Sequence, residues 1–182
     1  MIEVRWHARG GQGGFTAAKL LGLAASVFED NYAQAFPSFG PERRGAPVLG
    51  FTRIDDKPID DHSQVYACDY VVVLDETLME VVNVTSGLRD GGILLINTES
   101  APESFKLGDN FKVVTLNATD IALKVLKAPI TNTTMMGALA AASGIVSIES
   151  VLSAIDAGMP ENLREKNKKA VMIAYDAVRG VK

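Results

Sequence analysis

The chain has 182 residues, of which 47% are hydrophobic and 22% are charged. These proportions are those of an ordinary globular protein, so they exclude a disordered tail, and the length predicts a single domain spanning 1–182. The formal charge of −4 gives no overall attraction to nucleic acid or to an anionic membrane. Because no apolar run has the length of a signal-peptide core or a membrane span, we expect a cytoplasmic protein.

Short runs of β-branched and aromatic residues alternate with helix-period segments along the chain. The predicted strands span 2–7, 32–36, 48–54, 70–74, 93–97 and 111–116. The predicted helices span 15–28, 77–84, 118–126, 132–142, 147–158 and 161–178. The runs YVVVL and ILLIN are continuous and apolar, as is typical of strands buried on both faces of a parallel sheet. The alternation predicts an α/β fold: a Rossmann-like, mostly parallel sheet with helices on both faces and a helical C-terminal third.

The segment ARGGQG at 8–13 follows the first strand and opens the first helix, so it has the A-x-G-x-x-G form related to the dinucleotide fingerprint. Glycines here allow positive φ and let backbone N–H groups approach an anion at the helix N-terminus, where the helix dipole favours negative charge. Arg9 and Gln12 would add a charged and a neutral contact to a phosphate or to a partner's backbone. We favour this interpretation over a tight turn that binds nothing. The candidate binding residues are Arg9, Gly10, Gly11, Gln12 and Gly13.

A nicotinamide dinucleotide would also need an acidic residue at the end of the second strand to bind its ribose. Glu29 and Asp30 lie at about the required distance beyond the glycines, but they come directly after a helix and before any second strand. A bound NAD is therefore not expected.

A second polar segment, PSFGPERRGAP at 37–47, contains too many prolines and glycines to form a regular element. Ligands of open α/β sheets collect at the loops beyond the carboxyl ends of the strands. In such a loop, Arg43 or Arg44 can bind a phosphate or carboxylate in bidentate geometry, with Glu42 orienting one of them. By composition alone, a solvated surface loop with inert arginines is the stronger interpretation.

Other candidate residues carry weaker signals. Asp75 and Glu76 end the YVVVL strand, where acidic residues can be functional, but a helix N-cap explains them equally well. Cys68 is typical of a small core residue, and as the single cysteine it excludes an intrachain disulfide and a cysteine-rich metal cluster. The sequence contains no serine–histidine–acid arrangement, so it predicts no self-sufficient active site.

The segments HARGGQGG and SFGPERRGAP resemble the gamma subunits of 2-oxoacid:ferredoxin oxidoreductases, most closely those of pyruvate:ferredoxin oxidoreductases, and the resemblance spans nearly the whole chain. The family's G-R-G-G-Q-G pattern is matched at 9–13, but Ala8 stands where glycine is usual. Its G-P-E-x-R-G-G pattern is matched at 40–45, with Ala46 replacing the last glycine. Further matches are Asp69, Asn132, Gly137 and Asn167. Because alanine has a narrower φ range than glycine, we expect Ala8 to restrict the turn.

The resemblance implies a gamma subunit that is inactive alone and binds alpha, beta and delta subunits. In such enzymes thiamine diphosphate, with magnesium, lies between the alpha and beta parts, and iron–sulfur clusters lie in the beta and delta parts. The assembly converts a 2-oxoacid to an acyl-coenzyme A and passes electrons to ferredoxin. We expect both loops at one edge of the sheet, lining the coenzyme A entrance and docking the partner subunits. The residues expected there are Arg9, Gly10, Gly11, Gln12, Gly13, Arg43 and Arg44.

Three alternatives stay open. The first is a complex that acts on 2-oxoglutarate, branched-chain 2-oxoacids or indolepyruvate, because those enzymes share this type of gamma subunit. The A-x-G-x-x-G segment alone would also fit a free-standing NAD(P)-binding dehydrogenase. The third alternative is a structural module that binds only protein, with its arginines in interfacial ion pairs.

Overall fold

The computed structural model describes residues 1–38, 44–108 and 110–180. These residues form a six-stranded sheet: β1 Ile2–Arg9, β2 Tyr32–Pro37, β3 Pro47–Asp55, β4 Cys68–Val73, β5 Leu88–Asn97 and β6 Lys112–Leu116. They also form five α-helices: α1 Gly14–Phe28, α2 Ala118–Val125, α3 Asn132–Ser143, α4 Ile148–Gly158 and α5 Glu161–Val178. Two 3₁₀ helices, Glu76–Glu80 and Pro102–Ser104, follow β4 and β5. Within the described ranges, no helix combines the length and the apolar character needed to cross a membrane.

The strand order in the sheet is β2-β3-β1-β4-β5-β6. The adjacent strands β1, β4, β5 and β6 run parallel to one another, whereas β3 pairs antiparallel with both β1 and β2. The chain first moves to one side of β1 through α1, β2 and β3, and then crosses to the other side with β4. Because the direction of winding reverses beside β1, a crevice is expected at the carboxyl ends of β1 and β4.

Side chains alternate between the two faces of the sheet and form two apolar clusters. On one face, Trp6, Val72 and Leu95 belong to a cluster to which all five α-helices contribute. On the other face, Phe51 and Leu94 belong to a second cluster, which is covered by connecting segments that include the 3₁₀ helix Glu76–Glu80.

The α/β class, the mostly parallel sheet and the helical C-terminal third are confirmed. The layers differ from the expectation in one respect: in the described part of the chain the α-helices lie on one face, and the 3₁₀ helix after β4 and loops cover the other. The helix expected at 77–84 is this 3₁₀ helix. The β-branched residues Val81, Val82 and Val84 follow it, and such side chains lose rotamer freedom in an α-helix, which disfavours its extension.

Candidate functional site

The loop after β1 and the loop after β4 meet where the sheet reverses its direction of winding. The backbone N–H of Leu74 donates to the His7 carbonyl over 2.9 Å, so β1 and β4 stay paired up to this edge. The glycine-rich loop follows β1, and Asp75 follows Leu74 directly. This crevice is the position at which open α/β sheets bind ligands.

Two glycines of the loop have backbone conformations that other residues rarely adopt. The φ angle is +96° at Gly11 and +76° at Gly13, which is the N-cap of α1. A Cβ atom at Gly13 would lie 2.4 Å from Nδ2 of Asn132, the atom that donates to the Gly13 carbonyl over 3.3 Å. The start of α3 therefore fixes the start of α1, and the contact leaves no room for a side chain at position 13.

Ala8 does not restrict this turn. It lies within β1, pairs with Val48 of β3 and is 1% exposed. A Cβ atom at Gly14 would lie 2.8 Å from Cβ of Ala8, so the Ala8 methyl group occupies the space beside Gly14. The expected restriction at position 8 does not arise, because the positive φ angles of the turn fall on Gly11 and Gly13.

The glycine-rich loop lies directly beside the end of the second polar segment. Gly10 and Arg44 form a parallel β-bridge. The Gly10 N–H donates to the Ala46 carbonyl over 2.9 Å, and the Gly45 N–H donates to the Gly10 carbonyl over 3.1 Å. The structure thus brings the two loops to one edge of the sheet, as the sequence predicted. Arg43 and the rest of 39–43 lie outside the described residues.

The side chain of Arg9 binds other residues of the same chain. Its Nε donates to Oδ2 of Asp75 over 3.1 Å, and its Nη1 donates to the Gly45 carbonyl over 3.1 Å. Its Nη2 donates to Oγ1 of Thr77 over 2.6 Å. Gln12 is held in the same way, since Nε2 donates to Oδ2 of Asp75 over 2.9 Å and Oε1 accepts from the Arg9 N–H over 2.7 Å. Both side chains position the loops in this structure.

Asp75 is the acceptor that joins the loops after β1 and β4. Burial raises the pKa of its carboxyl, but hydrogen bonds from Thr77 and Gln12 and the charge of Arg9 outweigh burial and hold the pKa below its usual value. Its Oδ1 also accepts from the Thr77 N–H over 3.1 Å, which caps the 3₁₀ helix. The sequence indicated the N-cap. The contacts with Gln12 and Arg9, 63 and 66 residues earlier, had no sequence signal because they depend on strand order.

Arg44 differs from Arg9 because its guanidinium is available. It is exposed, and it takes part in no ion pair or side-chain hydrogen bond among the described residues. Its bridge with Gly10 places its backbone beside the glycine-rich loop. Arg9 and Arg44 are the two described arginines that were expected to bind an anion. Only Arg44 of these two has a side chain with no hydrogen-bond or ion-pair partner in the described part of the chain.

A cleft of about 240 Å³ opens beside the two loops. The residues that line it from the loop and the first turn of α1 are Arg9, Gly10, Gly11, Gly13, Gly14, Phe15 and Thr16. The first turn of α1 contains no acidic residue, and no side chain caps it. The N–H groups of 14–16 precede Ala17, the first residue that donates to the Gly13 carbonyl, so they lack intrahelical acceptors. These free N–H groups favour an anion, and the positive end of the helix dipole strengthens that preference.

Glu29, one of the two acidic residues considered for a dinucleotide, has a partner within the chain. Oε1 of Glu29 accepts from the Ser147 N–H over 2.6 Å, which joins the end of α1 to the start of α4. β2 ends at Pro37 and is followed by Ser38, so within the described residues no carboxylate stands at the strand end that would contact a ribose. β3 also separates β2 from β1. The geometry argues against a nicotinamide dinucleotide.

Comparisons with known proteins agree with one another. The sequence matches the family described as pyruvate ferredoxin/flavodoxin oxidoreductase over residues 3–177. It is 53% identical over 176 residues to the pyruvate synthase subunit PorC of Methanocaldococcus jannaschii, covering 97% of this chain and 96% of that protein. It is 52% identical over 179 residues to the pyruvate/ketoisovalerate oxidoreductases common subunit gamma of Thermococcus kodakarensis, covering 97% and 96%. The fold is similar to the crystal structure of pyruvate oxidoreductase subunit PorC from Thermotoga maritima, with a TM-score of 0.83, 40% identity and coverage of 96% and 95%.

Proposed function

The chain belongs to the pyruvate ferredoxin/flavodoxin oxidoreductase family, and we propose that it is the gamma subunit of a multisubunit pyruvate:ferredoxin oxidoreductase, or pyruvate synthase. In this role it supports the oxidative decarboxylation of pyruvate to acetyl-coenzyme A, with electrons passed to ferredoxin. It binds alpha, beta and delta subunits and has no turnover alone.

The observation that carries the role of the two loops is their junction at Gly10 and Arg44. The junction combines backbone N–H groups at the start of α1 with an exposed guanidinium that has no partner among the described residues. Coenzyme A is a polyanion, and both groups favour phosphate oxygens. We therefore propose that the loops line the coenzyme A entrance and contact the partner subunits around it.

The redox cofactors are proposed to lie on the other subunits. An iron–sulfur cluster needs four ligands, usually cysteine thiolates, and this chain has one cysteine, Cys68, which is buried in the second apolar cluster. Burial also raises the pKa of the Cys68 thiol, which disfavours the thiolate form. Thiamine diphosphate, magnesium and the clusters are accordingly assigned to the alpha, beta and delta subunits.

The proposed substrate is pyruvate, because relatives at about half identity are named pyruvate synthase subunits. The Thermococcus relative is named as a subunit common to pyruvate and ketoisovalerate oxidoreductases. A subunit that serves two 2-oxoacids does not by itself choose between them. We propose that the choice of substrate is made in the subunits that bind thiamine.

The test compares complexes assembled by co-expression with the alpha, beta and delta subunits. Arg44→Ala is expected to raise the KM for coenzyme A about tenfold, the loss of one charge-assisted hydrogen bond, and to leave the KM for pyruvate unchanged. Arg179→Ala is the matched control, since Arg179 is exposed at the end of α5 and far along the chain from both loops.

The subunit assignment and the loop assignment fail separately in this experiment. If the partner subunits do not capture the chain, or if they are fully active without it, the gamma assignment is wrong. If the Arg44→Ala complex assembles and shows the same KM for coenzyme A as Arg179→Ala, the loops have no role at the coenzyme A entrance.

A further inference from the structure

The central strand β1 carries buried polar side chains on the face that is turned away from the α-helices. Glu3, Arg5 and His7 are each 6% exposed. Glu3 is paired, because Nε of Arg53 lies 3.0 Å and Nη2 of Arg89 lies 2.7 Å from its carboxylate oxygens. Arg5 and His7 have no carboxylate partner among the described residues. A central strand usually buries apolar side chains, so this pair needs an explanation.

The Arg5 guanidinium is buried with neutral partners. Its Nε donates to Nε2 of His7 over 3.1 Å, and its Nη2 donates to the carbonyls of Val84, over 3.0 Å, and Ser86. Its Nη1 has no acceptor in the described part of the chain. A buried charge is costly unless an opposite charge pairs with it. The surroundings of Arg5 therefore favour an anion.

His7 supplies a second donor beside Arg5. Burial, and then the charge of Arg5, lower the pKa of His7 to about 3, so its imidazole is neutral near pH 7. A guanidinium can only donate, so Nε2 of His7 is the acceptor and the imidazole proton is assigned to Nδ1. No described residue accepts a hydrogen bond from Nδ1.

Arg5 and His7 line a cavity of about 370 Å³. The volume lies within the range of about 300–1,000 Å³ that is common for ligand pockets. Its apolar wall comes from the start of β3 and from the segment after β4, through Leu49, Leu78 and Val82. Leu49 also lines the cleft beside the glycine-rich loop, so the two cavities are neighbours. This cavity combines a buried cation and an imidazole donor with an aliphatic wall.

We propose that this cavity binds a small carboxylate with a short aliphatic chain. The carboxylate accepts hydrogen bonds from Arg5 and from Nδ1–H of His7, and the aliphatic chain packs against Leu49, Leu78 and Val82. The anion neutralises the buried guanidinium, which no described carboxylate does. The site adjoins the coenzyme A entrance proposed above, since Ser38, Val48 and Leu49 line both cavities, but it does not depend on that assignment.

The test uses the two histidines of the chain, since His7 lines the cavity and His62 is exposed. Long-range proton–nitrogen spectra of the full-length, histidine-labelled chain are recorded near pH 8 during a titration with sodium butyrate at constant ionic strength. We expect a saturable shift of the His7 Nδ1 resonance while His62 stays unchanged. Butyramide is the matched ligand without the charge, and it is expected to cause no saturable shift. The proposal is overturned if His7 does not respond to butyrate, if butyramide acts equally, or if His62 shifts in parallel.

Two variants test the two halves of the site. Arg5→Lys keeps the charge but removes the planar fork, and it is expected to weaken butyrate binding at least tenfold. Its matched control is Arg179→Lys, at an exposed arginine at the end of α5, which is expected to leave the titration unchanged. Val82→Phe keeps both donors and fills space along the aliphatic wall, so it is expected to weaken butyrate more than acetate. If Val82→Phe binds butyrate as tightly as the unchanged chain does, the aliphatic chain of the ligand does not pack against Val82 and the proposed orientation is wrong. This outcome can be read even if Arg5→Lys fails to fold.

Discussion

Nε of Arg9 lies 3.1 Å from Oδ2 of Asp75, and this ion pair joins the loop after β1 to the loop after β4. Gln12 donates to the same carboxylate oxygen, so Asp75 holds both polar side chains of the glycine-rich segment. The segment is thereby fixed in place before any ligand arrives. Such preorganisation lowers the cost in conformational entropy of binding a ligand.

Replacing Asp75 is expected to destabilise the protein. Asp75→Asn removes the charge that pairs with Arg9, and we expect the free energy of unfolding to fall by about 1–2 kcal/mol. Denaturation with urea measures the difference. Asp176→Asn is the control, because Asp176 is exposed on α5 and has no ion pair among the described residues. Equal stability of the two variants would show that the ion pair contributes nothing.

The penalty of Asp75→Asn is expected to depend on pH. Because the folded protein holds the pKa of Asp75 below its usual value, the carboxylate stabilises the fold at pH values above the unfolded pKa of about 3.9. This stabilisation is lost as the pH falls through the lower, folded-state pKa. Urea unfolding of both proteins between about pH 7 and pH 3 should show the difference shrinking only at the acid end. A difference that stays constant down to pH 3 would assign the effect to packing.

Gly13→Ala is expected to destabilise the start of α1. Alanine costs about 1 kcal/mol or more at the φ of +76°, and its Cβ would lie 2.4 Å from Nδ2 of Asn132. Gly144→Ala is the matched control, because Gly144 has a φ of +66° with no atom within 4 Å of the added Cβ. Thermal unfolding should show the larger loss for Gly13→Ala. If both variants lose the same stability, the contact with Asn132 carries no penalty.

Gly137→Ala is expected to reverse the usual effect of this substitution in a helix. Alanine normally stabilises a helix interior by about 1 kcal/mol relative to glycine. At Gly137 the new Cβ would lie 2.5 Å from the carbonyl oxygen of Val171, where α3 packs against α5. We expect a net loss of about 1–3 kcal/mol, because overpacking must push the two helices apart. Urea denaturation checks the sign, and a stabilised variant would contradict the close packing.

The positions of the strands and of most helices were predictable because their signals are local. The apolar run of β4 and the glycine turn before α1 depend on neighbours within a few residues. The α-helix expected at 77–84 was wrong, since the β-branched residues after Glu80 disfavour an α-helix there. Local preferences of similar size compete in such short segments.

The candidate site was predictable in composition but not in its internal contacts. The sequence indicated that the loops at 8–13 and 37–47 would meet, and the bridge between Gly10 and Arg44 confirms their junction. It did not indicate that Arg9 pairs with Asp75, or that Asn132 supports Gly13. Those partners lie 66 and 119 residues apart along the chain, and only the packing of separate elements makes them neighbours.

The sequence by itself determined most of the strands and helices and the conformational freedom of the turn, because glycine and helix periodicity act within a few residues of chain. Only the tertiary structure decided that β3 runs antiparallel beside β1, since strand order depends on how distant segments bury their apolar faces together. The same packing decided whether the alternating polar residues of β1 are buried or exposed. Their pattern is typical of a strand with one solvent-exposed face, yet the central position of β1 buries Arg5 and His7.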